Sequence, residues 1–509
     1  MLAFIAITII CLAVYWRTIY YSAVVDDIAL LEGRRTSNLR ITLKNFIFMV
    51  RQRLYGAGTF GLWKDCDMCR GKGEIKIGPD PEHVKIEKCP RCKGVGKYSH
   101  VNLKVEHGFT IFLHILICNL IYLSLGHNQV SLIAALLYSV NPTNTQTSIW
   151  MNGRRYAVNI VLMLLIVLIG PRGLGLYPMT TLFQINAIFT PVLLGSWWWL
   201  VIPAEVALNR KRFVSFYNHR MSTIVNDDMR KWHFPGRVIV VIRTAGFYIS
   251  QMVWPRRNMM IYKFLHDWGM TAKGNSAAYA LDRYFWIGTA AIVGSIAASF
   301  LFKGQDLYFL AFLVLSLGQW CNVLTATQTA ADRYVSLANV FMMYFLAKLI
   351  TLTPYTLPIA ALFFGYYLSQ ILSHIIMYKD IQTFYDYHNF YEPSNVTARK
   401  FEINWKLKAR DPLAAWDLIR TGLVYNPEDF TLLYQAAVCM QALGDYKSSE
   451  QYFERAEKNH YINQEPVWRE NINKLRNSNR MNLNDNIFSP RPSGDNGKHG
   501  IVDFARKRK

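Results

Sequence analysis

Long apolar stretches separated by short polar turns dominate the chain. About 20 apolar residues cross a bilayer as a helix. Clear stretches of that kind lie at 2–16, 107–125, 157–170, 186–203, 282–302, 306–322, 335–351 and 355–377. Shorter or more amphipathic ones lie at 128–141, 172–183 and 236–254. The pattern predicts an all-α polytopic membrane protein with about 10–11 membrane helices. Met1–Tyr15 lacks a charged start and a small-residue cleavage site, so it reads as a retained first span rather than a secretory signal.

The polar stretches divide the chain. Residues 1–17 form the first span, and 18–106 a long polar loop with a cysteine-rich insert at 64–98. The membrane body occupies 107–380, a helical polar region 381–475, and a disordered basic tail 476–509. In the helical region, Leu443-Gly444-Asp445-Tyr446 is followed by Tyr452, Phe453 and Ala456 at helical spacing. Ala414-Ala415 and Asn426-Pro427 precede them in the same style. This resembles the core of tetratricopeptide repeats, with one and a half to two repeats present.

Charge changes the picture less than its size suggests. The net charge is +22 on 509 residues. In a chain of membrane helices, Lys and Arg face lipid headgroups and set orientation, so no nucleic-acid partner is expected. The run with Arg210, Lys211, Arg212, Arg220, Arg230, Lys231 and Arg237 is placed on the cytoplasmic side. Counting spans from a cytoplasmic N terminus then puts the loops 18–106, 142–154, 184–186, 255–281 and 323–334 together on the outer face.

Four polar constellations are candidates for chemistry. Asp26-Asp27 lies about ten residues past the first span. It suits acid–base work or a metal, although from the residues alone a solvated helix cap is the stronger reading. Asn141-Pro142-Thr143-Asn144-Thr145-Gln146, ending in Gly153-Arg154, suits a phosphate or a carboxylate, or is an interfacial turn with Trp150 and Arg as anchors. Ala331-Asp332-Arg333-Tyr334 opens a span, and Trp254-Pro255-Arg256-Arg257-Asn258 is a second basic turn.

The order of these pieces resembles the GT-C superfamily of membrane glycosyltransferases. The closest resemblance is to protein O-mannosyltransferases that join a membrane body to tetratricopeptide repeats. Asp26-Asp27 sits where that family carries its paired acidic motif. His107-x-x-Thr110-x-x-x-His114 is similar to its His-x-x-Asn-x-x-x-His. Ala134-Ala135-Leu136 through Arg154 is similar to its next run, with Asn141 for a His and Gln146 for a Glu. Gln184-Ile185-Asn186-Ala187, Tyr248 through Asn258, and Ala331 to Tyr334 follow in the family order.

The resemblance implies transfer of a monosaccharide from a polyprenyl-phosphate donor to an acceptor hydroxyl, usually on protein, by one inverting displacement. It implies Asp26 as base, with Asp27 orienting the acceptor or a divalent cation. Arg154, Arg333, Asp332, Arg256 and His107 would serve the donor. The repeats would engage an acceptor protein. The site would face the outside of a bacterial inner membrane or the lumen of the endoplasmic reticulum. The rival readings are a transporter or flippase, and an inactive membrane scaffold.

The insert carries Cys66-x-x-Cys69-x-Gly71-x-Gly73 and Cys89-x-x-Cys92-x-Gly94-x-Gly96. Four thiolates in two such knuckles suit one tetrahedral, structural Zn²⁺, with disulfides as the alternative on an oxidising face. The pattern resembles half of the zinc domain of DnaJ-type chaperones.

Overall fold

A computed structural model describes residues 1–22, 61–65, 74–77, 85–88, 97–101, 103–183, 185–208, 210, 214, 236–256, 258–259, 262, 281–321, 331–393, 395–458, 469–477 and 479. It divides into two compact units, Met1–Asn395 and Val396–Lys509.

The first unit holds α1 (Leu2–Tyr15), α2 (Leu103–Ser124), α3 (Gln129–Val140), α4 (Arg154–Ile169) and α5 (Gly236–Val253). These are followed by α6 (Arg283–Leu301), α7 (Gln305–Gly318), α8 (Asp332–Thr351), α9 (Thr356–Ile375) and α10 (Ile381–Tyr391). Six stretches are long and apolar enough to cross a membrane: Leu2–Tyr20, Leu103–Ser124, Arg154–Thr180, Arg283–Leu301, Asp332–Thr351 and Thr356–Tyr378. Helices α3 and α7 are apolar but shorter. The chain is thus consistent with a multi-pass membrane protein.

The expected 10–11 continuous spans are not all formed. The stretch 186–203 breaks into 3-10 turns at Ile185–Leu194 and Ser196–Leu200, then a short helix Val201–Leu208. Pro191 has no N–H to give the ladder, and Gly195 turns the chain at φ +68°. Likewise 172–183 splits into a 3-10 run, Gly170–Leu176, and a short helix, Tyr177–Phe183. Apolar composition alone does not reveal such breaks.

Helices α1 to α4 and α5 to α9 alternate in direction, so their ends collect in two groups. At one end the rings of Phe4 and His127 meet Tyr122 edge-on, and Lys348 pairs with Asp306. At the other lie the C-terminal ends of α1, α3, α5, α7 and α9 and the N-terminal ends of α2, α4 and α8. There Ser22 N donates to Lys379 O at 2.9 Å, and the rings of Trp320 and Tyr334 stack at 3.9 Å. Helices α5 and α6 touch backbone to backbone. A Cβ on Gly246 would lie 1.8 Å from Tyr284 O, and one on Gly288 2.0 Å from Ile242 O. Asp282 caps α6 and also holds Arg243 of α5 at 2.7 Å.

Four short strands lie in the region of the cysteine insert: β1 (Gly61–Asp65), β2 (Glu74–Ile77), β3 (Lys85–Lys88) and β4 (Lys97–Val101). β1 pairs antiparallel with β4, ending at Asp65 opposite Lys97. β2 pairs antiparallel with β3, starting at Glu74 opposite Lys88.

The second unit contains α11 (Val396–Lys408), α12 (Pro412–Tyr425), α13 (Phe430–Ala442) and α14 (Tyr446–Glu457), each packed on the next. Gly444 takes φ +83° between α13 and α14, and Asp445 caps α14 through Ser448 N. Phe453 and Ala456 bury against Phe430, Leu433 and Ala437. Helix α10 falls in the first unit.

Candidate functional site

A buried polar cluster lies at the α4 and α8 N-terminal end of the first unit. Its centre is the segment 141–154, which links α3 to α4. Asn141 begins it: its Oδ1 accepts from Thr143 N at 3.0 Å, and its Nδ2 donates to Met252 O at the end of α5 at 2.8 Å. From α8, Asn339 Nδ2 donates to Thr143 Oγ1 at 2.9 Å and Asn144 Oδ1 at 3.1 Å. Gln146 Nε2 donates to Met259 O at 3.2 Å. A buried polar loop survives only when its groups are paired in this way.

The two arginines predicted to serve the donor flank this segment. Arg154 opens α4 and is 1% exposed. Its Nη1 pairs with the Glu106 carboxylate, its Nη2 donates to Glu106 O at 2.7 Å, and its Nε donates to Thr110 Oγ1 at 3.0 Å. Its guanidinium also lies 5.6 Å from the Phe109 ring centroid. Arg154 is therefore held mainly by α2. Arg333, in the first turn of α8, donates from Nη1 to Gln146 Oε1 at 3.1 Å. Its guanidinium lies 5.3 Å from the Trp150 ring centroid and 4.9 Å from that of Tyr334. A weakly hydrated cation among aromatic faces is a suitable seat for a phosphate.

Asp332 is bonded by two side chains of the stretch that follows α5. Its carboxylate accepts from Tyr262 OH at 2.6 Å and Asn258 Nδ2 at 3.0 Å. Burial, and then the Asp332 charge, push the Tyr262 phenol well above its ordinary range. Asn258 N donates to Nε2 of His374, so the proton of that ring sits on Nδ1, which donates to Tyr387 OH at 2.5 Å. His107 is 3% exposed. It lies beside the backbones of Tyr21 and Ile149, with neither ring nitrogen in hydrogen-bond geometry.

The structure thus brings His107, Arg154, Asp332 and Arg333 to one end of the bundle. Arg256 follows the C-terminal end of α5 and is exposed beside Tyr366. Asp26, Asp27 and Gln184 lie outside the described residues, as do Cys66, Cys69, Cys89 and Cys92. Glu106, Tyr262, Asn339 and His374 join the cluster without having been singled out from sequence. For Glu106 the signal was present: a carboxylate at the entry of an apolar span needs a partner.

Deeper in the bundle, Cys11, His114 and Cys118 form a second group. Their ligand atoms all lie within 4.8 Å of one another, close enough to hold a metal ion. No protein-family model, curated protein or solved structure matches this chain.

Proposed function

We propose that the chain is a membrane glycosyltransferase that passes a monosaccharide from a polyprenyl-phosphate donor to an acceptor hydroxyl, with protein as the acceptor class. The observation that carries this reading is the setting of Arg333. Polar stretches far apart in sequence close around it: Gln146 bonds it directly, and Asn258 and Tyr262 hold its neighbour Asp332. Those stretches are the ones whose order resembles the GT-C transferases. The guanidinium, held between the buried rings of Trp150 and Tyr334, would provide phosphate recognition.

In the proposed reaction the acceptor oxygen attacks the anomeric carbon as the bond to the lipid phosphate breaks. Asp26 takes the hydroxyl proton, and Arg333 stabilises the charge gathering on the leaving phosphate. Arg154, paired with Glu106 and bonded to Thr110, fixes α4 against α2. The site would face the outer or luminal side. The helices of the second unit, read as tetratricopeptide-like, would meet the acceptor protein, and Zn²⁺ would brace the insert. In sequence, the cysteine-bearing stretches 66–73 and 89–96 each join a strand of the first pair to a strand of the second.

The test is mass spectrometry of lipid that co-purifies with the full chain. A polyprenyl-phosphate monosaccharide, retained by the wild type and depleted in Arg333→Ala, is expected. Recovery of bulk phospholipid alone from both would overturn the donor assignment.

A further inference from the structure

We propose that Cys11 of α1 and His114 and Cys118 of α2 bind one thiophilic divalent cation of the Zn²⁺ type, which staples the first span to the second inside the membrane body. This site is separate from the cysteine insert and independent of the transferase reading. His114 and Cys118 are one helical turn apart, so they share a face of α2. That face meets Cys11, and all three residues are almost wholly buried.

The spacing is close to what coordination needs. Cys118 Sγ lies 3.8 Å from His114 Nε2, and the three ligand atoms fall within 4.8 Å of one another. Bond lengths of about 2.3 Å for Zn–S and about 2.0–2.1 Å for Zn–N give a tetrahedral S···N separation of roughly 3.5 Å. A small rotation of side chains closes the difference.

His114 Nδ1 and the Tyr138 hydroxyl are buried without a hydrogen-bond partner, and the Tyr138 ring lies 6.0 Å from the His114 ring. Polar groups in an apolar bundle ordinarily find partners. His114 Nε2 now faces Ser139 O at 3.1 Å. That carbonyl also accepts from Tyr15 OH at 3.2 Å, so it keeps a donor when a metal takes the imidazole nitrogen.

Charge selects the ion. Two thiolates and a neutral imidazole bring a charge of about −2, which a divalent cation cancels, and a neutral complex is the form that low-dielectric surroundings tolerate. The thiols lose their protons as the metal enters, so loading releases two protons and changes no oxidation state. Sulfur ligands favour Zn²⁺ over Mg²⁺ or Ca²⁺.

The experiment uses the full chain, purified in detergent, with zinc per chain measured by elemental analysis. Three proteins are compared: the wild type; a variant with Cys66, Cys69, Cys89 and Cys92 all changed to Ser; and the Cys11→Ser, Cys118→Ser variant. The insert variant is expected to keep one zinc, and the Cys11, Cys118 variant to hold one fewer than the wild type. A second measurement needs no variant. In the wild type, Cys11 and Cys118 should resist a membrane-permeant alkylating agent until a membrane-permeant zinc chelator is added. The buried Cys321, bonded to Leu317 O, should show no response to the chelator. Equal zinc in the wild type and the Cys11, Cys118 variant would overturn the proposal. So would a Cys11–Cys118 disulfide, or alkylation of the pair that ignores the chelator.

Discussion

Arg333 and Gln146 are 187 residues apart in sequence, yet Nη1 of one lies 3.1 Å from Oε1 of the other. Under the proposed transferase reading, Gln146 takes the place of a Glu. Gln146 is a neutral acceptor, and a Glu in its place would set a further negative charge against the guanidinium. Gln146→Glu should therefore leave the fold intact and weaken retention of an anionic lipid, by about tenfold for a loss of about 1.4 kcal/mol. Arg333→Lys should weaken it too, since Lys cannot present a planar fork to a phosphate. Lipid retention and thermal stability in detergent separate the effects. Undiminished retention in both variants would remove Arg333 from the donor site.

Glu106 and Arg154 form an ion pair that water scarcely reaches. Removing one partner strands a charge in an apolar bundle, at a cost of about 3–5 kcal/mol. Glu106→Gln should lower the thermal midpoint sharply. The double change Glu106→Leu, Arg154→Met should recover much of the loss, because it strands nothing. A double variant as unstable as the single one would mean that the pair has a role beyond mutual neutralisation.

Much of this arrangement was legible in the sequence. The long apolar runs gave α1, α2, α4, α6, α8 and α9, because an uninterrupted run leaves the backbone no option in lipid but a helix. Leu443-Gly444-Asp445 marked the turn between α13 and α14 for a local reason: Gly tolerates the positive φ and Asp caps the next helix. Counting spans also grouped Arg154 with Arg333, and their helix starts do share one end of the bundle. Partner choice was not legible. Nothing in the sequence says that Arg154 turns to Glu106, or that Asp332 turns to Tyr262. Those choices depend on how α2, α5 and α8 approach one another in space. Nor does the sequence show that Cys11 and Cys118 meet, since they are far apart in the chain and adjacent only after α1 packs on α2.

Helices α5 and α6 approach closely enough that Gly246 and Gly288 leave no room for a methyl group. The obstructing atoms are backbone carbonyls, which cannot rotate away. Gly246→Ala should force the helices apart and cost about 1–3 kcal/mol. Gly294, also on α6, has open space around its Cβ position, so Gly294→Ala should be harmless and serves as the control. Equal thermal midpoints for the two variants would contradict the contact.

His388 of α10 lies beyond the last apolar span and gives a pH dependence of defined sign. Burial lowers its pKa from 6.5 to about 4, against a smaller opposing effect of the bond to Phe384 O at 2.8 Å. The Phe384 ring packs on the imidazole at 4.3 Å, so protonation would place a charge in apolar surroundings. Between about pH 6.5 and pH 4 the unfolded chain takes a proton that the folded chain refuses. Stability should then fall as the pH drops through that window, by at most about 1.4 kcal/mol per pH unit from this group. Above the window the contribution should be flat. His388→Phe removes the titrating group and keeps an aromatic ring in place, so its thermal midpoint should fall less steeply than that of the wild type between pH 7 and pH 5. Parallel curves for the two proteins over that range would show that His388 is not the buried neutral group described here.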